Sequence, residues 1–434
     1  MKRYGKYKDS GVDWIEEIPE DWNMLPIRAI FDERNEKNIG PKTDFILSVT
    51  KDRGVIPYDE KGAIGNNKSD DIERYKVVYK GDFVINKMNV VIGSLGMSKY
   101  FGAFSQVYLV YKPKTSNINI NFYSYIFSNS TFYKSLIKYC TGIMELRESL
   151  NKDEFKKILL PLPSFNIQTK IVNFLNDKTS KINQTIAIKQ KEIELLKERR
   201  QILIQKAVTK GLDDTVKMKD SKVEWIGEIP EHWEVRKLRY LGQTQNGISK
   251  GGDFFGRGNP FLSYGDVYKN SQIPQKLNGL VESTIDEIKQ YSVKEGDVFF
   301  TRTSETKDDI GVSSVCYQDV ENATFAGFLI RFRPHKNQLA KSYSKFFFRT
   351  DLVGSFFTQE MNIVTRASLS QELLKSLNVI LPPIKEQIEI GLYLEEMEEK
   401  IAKVILLKQQ EIEKLKEYKM ILINNVVMGR LRVS

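Results

Sequence analysis

The chain repeats itself, in order, across most of its 434 residues. DSGVDWIEEIPEDW at Asp9–Trp22 returns as DSKVEWIGEIPEHW at Asp220–Trp233, an offset of 211. KGDFVINK (Lys80–Lys87) is answered by EGDVFFTR (Glu295–Arg302) at 215, and GAFSQVYLVYKP (Gly102–Pro113) by ATFAGFLIRFRP (Ala323–Pro334) at 221. KQKEIELLKERRQILI (Lys189–Ile204) comes back as KQQEIEKLKEYKMILI (Lys408–Ile423) at 219. The offset drifts by a few residues, as loop insertions would make it drift. This is a tandem duplication, so whatever one half folds into, the other must fold into as well.

Each copy is a mixed block followed by a charged rod. Runs rich in Val, Ile, Phe and Tyr, such as VVYKGDFVI and GFLIRFRP, read as strands bounded by Gly, Asn and Pro. A helical patch follows, then a short helix-like segment (LRESLNKDEFKKI, TRASLSQELLKSL) and a proline stop. The rods carry apolar residues at three-four spacing: Ile171, Leu175, Ile182, Ile193, Leu196 and Leu203, matched by Ile390, Leu394, Ile401, Ile412, Leu415 and Leu422. The same spacing extends the seam through Lys178, Thr185, Lys189 and Arg200, and through Met397, Val404, Lys408 and Lys419. Lys189 and Lys408 occupy equivalent seam positions, which weakens packing and can pin register. So narrow a stripe does not stabilise a lone helix, so the two rods should pack on each other.

The expected fold is therefore α+β. Residues 1–162 and 213–381 (with its linker) form two recognition blocks, and residues 163–212 and 382–434 form two long helices. These pair as an antiparallel coiled coil with pseudo-twofold symmetry. A rod of some forty residues would be roughly 60 Å long.

Chemistry is hard to find. There are two histidines, His232 and His335, and Asp21 stands where the repeat has His232, so a duplicated histidine site is excluded. Cys140 and Cys316 have no CxxC spacing, which argues against a disulfide framework or a zinc site. GGDFFGRGNP (Gly251–Pro260) lacks the Lys-Ser or Lys-Thr of a phosphate loop. NPF at Asn259–Phe261 lacks the second proline of a methyltransferase tetrapeptide. Asp297 followed by Glu305-Thr306-Lys307 has the carboxylate–carboxylate–lysine look of a metal-dependent nuclease. The first copy keeps Asp82 but has no such sequel, so an acidic–basic surface turn is preferred.

A binding signature remains. Lys and Arg number 66 against 56 Asp and Glu, a net charge of +10, which suits a polyanion. Between the repeated pieces the copies diverge, INKMNVVIGSLGMSKY against FTRTSETKDDIGVSSV, and are rich in side chains that contact base edges and phosphates. Asn86, Lys87, Asn89 and Lys99 in the first copy, with Arg302, Thr303, Ser304 and Lys307 in the second, are the candidates. Arg147 and Arg366 lie at equivalent positions; an ion pair between block and rod would suit them, but a DNA phosphate contact is preferred and both join the DNA-binding candidates. The start lacks an apolar signal region and no run of 18 apolar residues occurs, so a cytoplasmic protein without a membrane partner is expected.

With WIEEIPEDW and WIGEIPEHW, the GD turns at Gly81 and Gly296, and PPIKEQIEI (Pro382–Ile390) beside the looser PLPSFNIQTKI, the chain resembles a specificity subunit of a type I restriction–modification system. The resemblance covers essentially the whole chain. It implies that each block reads one half of a bipartite site on double-stranded DNA while the helices set the unread spacer. Divergent loops imply an asymmetric site. It also implies assembly with two methylation (M) subunits and with restriction (R) subunits. Those partners would use S-adenosylmethionine, ATP and Mg2+, and this chain would bind no cofactor or metal and catalyse nothing. A coiled-coil scaffold with incidental DNA affinity is the rival reading.

Overall fold

The computed structural model describes residues 2–51, 53–62, 71–141, 149–304, 310–360 and 367–433. Two helices dominate: Phe165–Lys210, of 46 residues, and Ile384–Val427, of 44. The chain divides into two compact units, Met1–Lys189 with Gln410–Ser434, and Gln190–Gln409. Both long helices cross that division, so each unit holds one block and a stretch of each helix.

In the first unit a four-stranded antiparallel sheet runs in the order Phe31–Glu33, Tyr108–Pro113, Phe83–Asn86, Leu95–Met97. In the second unit the order is Gly242–Asn246, Leu329–Pro334, Val298–Thr301, Ser313–Val315, again antiparallel. The central strands are apolar on both faces because each face covers a different core. Side chains alternate along a strand. Thus Phe83 and Ile85 join Trp22, Phe122, Leu175 and Val426, whereas Val84 joins a small core with Leu47, Val55, Phe104 and Val110. In the second unit Val298 and Phe300 pack with Trp233, Tyr343, Val208 and Leu394, and Phe299 with Phe261, Val267 and Phe325.

The first core of each unit contains the helices and the repeated motifs. The second is built differently in the two copies. A hairpin, Leu47–Thr50 with Gly54–Pro57, contributes to it in the first unit. A three-stranded sheet of Gly279–Val281, Phe255–Leu262 and Thr324–Phe325 takes that place in the second.

The WIxxIP repeat has a structural task. Each copy makes a small hairpin, Tyr7–Asp9 with Glu17–Pro19 or Met218–Asp220 with Glu228–Pro230, and buries its second tryptophan completely. The next strand, Asn23–Pro26 or Glu234–Lys237, pairs with the last strand of the block, Leu159–Leu162 or Asn378–Leu381. The block thus closes where it began and delivers the start of the long helix to the buried tryptophan. A buried glutamine fixes that start. Gln168 Nε2 donates to Pro163 O (2.8 Å) and its Oε1 accepts from Asn119 N (2.8 Å); Gln387 does the same with Pro382 O (2.9 Å) and Ala340 N (2.9 Å).

The helices pair antiparallel within each unit. In the first, Lys189 reaches Glu411 (2.5 Å) and Asn183 accepts from Lys419 (2.8 Å). In the second, Glu192 meets Lys408 (2.6 Å) and Arg200 meets Glu398 (3.6 Å). As the number rises on one helix it falls on the other. Ile182, Ile193, Ile401 and Ile412 are buried and Leu196 and Leu415 half-buried, while Lys189 and Lys408 put their ammonium groups on the acidic partners just named.

The seam departs from expectation at three positions. Lys178, Thr185 and Val404 are exposed; Thr179, Ile186 and Ile405 turn inward instead. A helix of 3.6 residues per turn keeps its stripe by mixing steps of three and four, and here the step of four wins, placing Thr179, Ile186 and Ile405 inward. Among the described residues no helix is long and apolar enough to cross a membrane.

Candidate nucleic-acid interface

The GD turn comes first because it could have been catalytic. Gly81 and Gly296 adopt left-handed backbone (φ 92° and 83°), and the following aspartate turns inward. Asp82 receives Arg34 Nε at 2.7 Å and Nη2 at 3.1 Å, and Tyr79 N at 2.9 Å. Asp297, with no exposed side chain, receives Arg333 Nε and Nη2, both at 2.6 Å, and Lys294 N at 2.8 Å. A carboxylate so engaged has no free oxygen for a metal ion. Glu305, Thr306 and Lys307 lie outside the described residues, and no metal-binding cluster of His, Cys, Asp and Glu occurs among the described ones.

Other temptations also resolve into structure. His232 Nε2 and Trp233 Nε1 share the two oxygens of Glu386, both at 2.7 Å. The first copy has Ile167 where Glu386 stands, and buried Trp22 Nε1 has no hydrogen-bond partner. Asn259 lies in a strand and donates to Ser283 O (3.3 Å) and Oγ (3.1 Å). Burial pushes the Cys316 thiol up to about 12, with Asp297 adding to the effect, so it is no nucleophile near neutral pH.

The binding candidates fall into two places. Asn86 ends its strand, and its side chain accepts from Met88 N (3.1 Å), shaping the turn that exposes Asn89. Half-buried Lys87 follows, and its carbonyl accepts from Leu150 N (3.0 Å). In the second copy Arg302 takes the same station: its carbonyl accepts from Leu369 N (2.7 Å). Thr303 and Ser304 continue into a two-stranded pairing with Ser368 and Ala367. Arg147, Lys307 and Arg366 lie outside the described residues. The segments that follow Arg147 and Arg366 are nevertheless tied by the same backbone bond to the strand end carrying the basic residue.

Lys99 does not join this group. It follows Leu95–Met97, beside the GD turn, where Ser98 N donates to Asp82 O and Gly81 N to Ser98 O, both at 2.8 Å. That is the opposite end of the strand from Asn86.

Two residues at the strand end escaped the sequence reading. The registers end at Asn86↔Tyr108 and Thr301↔Leu329, and the residues next beyond those pairs are Lys87 with Val107 and Arg302 with Phe328, both apolar members lying in turns. The signal was present in the aligned repeats SQVYLV and AGFLIR, where these residues occupy the same place.

A model of the type I restriction modification DNA specificity domain matches residues 19–198 and, again, 230–417. The chain belongs to that family. Each match takes in one sheet, one basic strand end and most of one long helix. Among full-length relatives, the putative type I restriction enzyme MjaX specificity subunit of Methanocaldococcus jannaschii is 24% identical over 446 residues, covering 97% of this chain and 96% of its own. The type I restriction enzyme EcoKI specificity subunit of Escherichia coli is 24% identical over 395 residues, covering 86% and 81%. The fold is likewise shared with the HsdS subunit of Thermoanaerobacter tengcongensis (TM-score 0.57, 15% identity, 99% and 100% covered). A chain from a type I restriction–modification system, solved to explain its assembly and conformational transition, superposes with TM-score 0.71 at 13% identity, covering 95% and 99%. The strand ends at Lys87 and Arg302 combine basic charge with copy-specific neighbours.

Proposed function

We propose that this chain is the specificity subunit of a type I restriction–modification complex, reading an asymmetric bipartite site on double-stranded DNA. Each block reads one half, with its basic strand end directed at base edges and phosphates. The observation that carries the reading is the duplicated junction: Lys87 bonded to Leu150 and Arg302 bonded to Leu369, one framework with unlike side chains around it. An arginine there suits bidentate contact with guanine, whereas a lysine is a point charge suited to guanine or phosphate. Unlike reading heads imply unlike half-sites.

The paired helices are the spacer. A helix of 46 residues is about 70 Å long, about twice the 34 Å of one DNA turn. Two M subunits and the R subunits supply methylation and cleavage, with S-adenosylmethionine, ATP and Mg2+ as their cofactors. This chain contributes recognition only.

The test is equilibrium binding of the chain, assembled with its methylation partner, to duplexes at several salt concentrations. The reading expects a steep fall with salt and a preference of at least about a thousandfold for one bipartite sequence over scrambled DNA. Weak binding indifferent to sequence would return the chain to the scaffold reading.

A further inference from the structure

We propose that Phe328, and Val107 in the first copy, are apolar base contacts, each placed to meet a thymine C5-methyl in its own half-site. The inference rests on the DNA reading above and adds to it a chemical class of contact.

Phe328 is 65% exposed and Val107 46%, each the turn residue immediately before a strand, Leu329–Pro334 with buried Leu329 and Ile330, or Tyr108–Pro113 with half-buried Tyr108 and buried Leu109 and Val110. The paired registers end at Thr301↔Leu329 and Asn86↔Tyr108, so Phe328 and Arg302, and Val107 and Lys87, are the residues next beyond the last pair; in the second copy Arg302 N donates to Phe328 O (2.9 Å). An exposed phenylalanine at a sheet end that carries an arginine thus recurs as an exposed valine at a sheet end that carries a lysine.

The aromatic is held out by its backbone. Leu329 N donates to Ala326 O (2.9 Å), Gly327 N to Ile248 O (2.8 Å), Ala326 N to Leu262 O (3.0 Å), and Arg302 N to Phe328 O (2.9 Å). A Cβ on Gly327 would lie 2.4 Å from Ser249 Oγ, so the turn is closely packed on its inner side. In the first copy Tyr108 N closes the same turn onto Ser105 O (3.1 Å). The backbone that presents the ring is thus fixed where it stands. The major-groove edges of the bases present donors and acceptors throughout, with one apolar group, the thymine methyl. A basic and an apolar side chain in adjacent positions therefore match a G·C pair beside an A·T pair.

The site is first read by mapping modified bases in cells expressing the chain with its methylation partner. The purified complex is then titrated with duplexes in which each thymine is replaced, one at a time, by deoxyuridine, which lacks the methyl. The expected result is a loss of about threefold to tenfold at one position in the second half-site. That loss should vanish in Phe328→Ala, whose melting temperature should match the parent because the ring is exposed. Val107→Ala should abolish the uridine effect in the first half-site only. A second half-site without an A·T pair, a parent complex indifferent to every uridine, or retained discrimination in Phe328→Ala would each overturn the inference. A parent complex that prefers its site yet ignores uridine defeats this inference alone. One with no sequence preference defeats the proposed function with it.

Discussion

Asp297→Ala should destabilise the second unit through a single, well-defined loss. The carboxylate has no exposed side-chain area, is gripped by Arg333 at 2.6 Å through both Nε and Nη2, and accepts Lys294 N at 2.8 Å. Removing one member of a buried pair strands the other charge and costs about 3–5 kcal/mol. Arg333 keeps 36% of its side chain exposed and can rehydrate, which places the loss near the lower end, about 3 kcal/mol. At about 2–4 °C per kcal/mol for a unit of this size, the melting temperature should fall by roughly 6–12 °C. Calorimetry on the full chain measures the shift, and hydrogen exchange should show faster opening within residues 190–409 and not in the first unit. Asp297→Ala/Arg333→Leu removes the stranded charge and should recover part of the loss. A shift under about 2 °C, or a double variant at least as unstable as the single one, would refute the argument that the GD turn is an electrostatic lock.

Three further outcomes follow from other contacts. Glu386→Ala strips the acceptor from Trp233 Nε1 and His232 Nε2 and should cost about 1–3 kcal/mol by urea unfolding, with Glu386→Gln recovering part. For Glu33, burial pushes the carboxyl up, but hydrogen bonds from Lys152 (2.6 Å) and Lys156 (3.1 Å) outweigh it and hold the group below its ordinary value. Its contribution is therefore present above about pH 4.3 and lost as the pH falls through its lowered folded value, so Glu33→Gln should flatten the acid limb of stability against pH. Inserting one heptad in each long helix adds about 10 Å, so the mapped spacer should lengthen by about three base pairs, and an unchanged spacer would sink the ruler.

The helices and the duplication could be read from the sequence because both rest on periodicity, which survives without knowledge of tertiary contacts. The seam phase could not: choosing between Thr185 and Ile186, or Val404 and Ile405, takes the partner helix, since both fit a three-four pattern. The GD aspartates were visible as motifs, but their partners are far off in sequence, Arg34 just after the strand Phe31–Glu33 and Arg333 within Leu329–Pro334, which no local spacing reveals. Lys99 was grouped with Asn86 by nearness in sequence, yet an antiparallel strand lies between them and carries it to the far end. Phe328 and Val107 were passed over because an apolar residue within a strand-like run is normally core, and only the structure shows that the strands begin one residue later and leave these two exposed in the preceding turns.

The most direct test of the central claim is genome-wide mapping of modified bases in cells carrying this chain and its methylation partner, with Arg302→Ala run alongside. The account predicts one motif with two unlike halves and an unread spacer, and in the variant relaxed specificity in one half only. A palindromic or continuous motif, or equal loss in both halves, would contradict it.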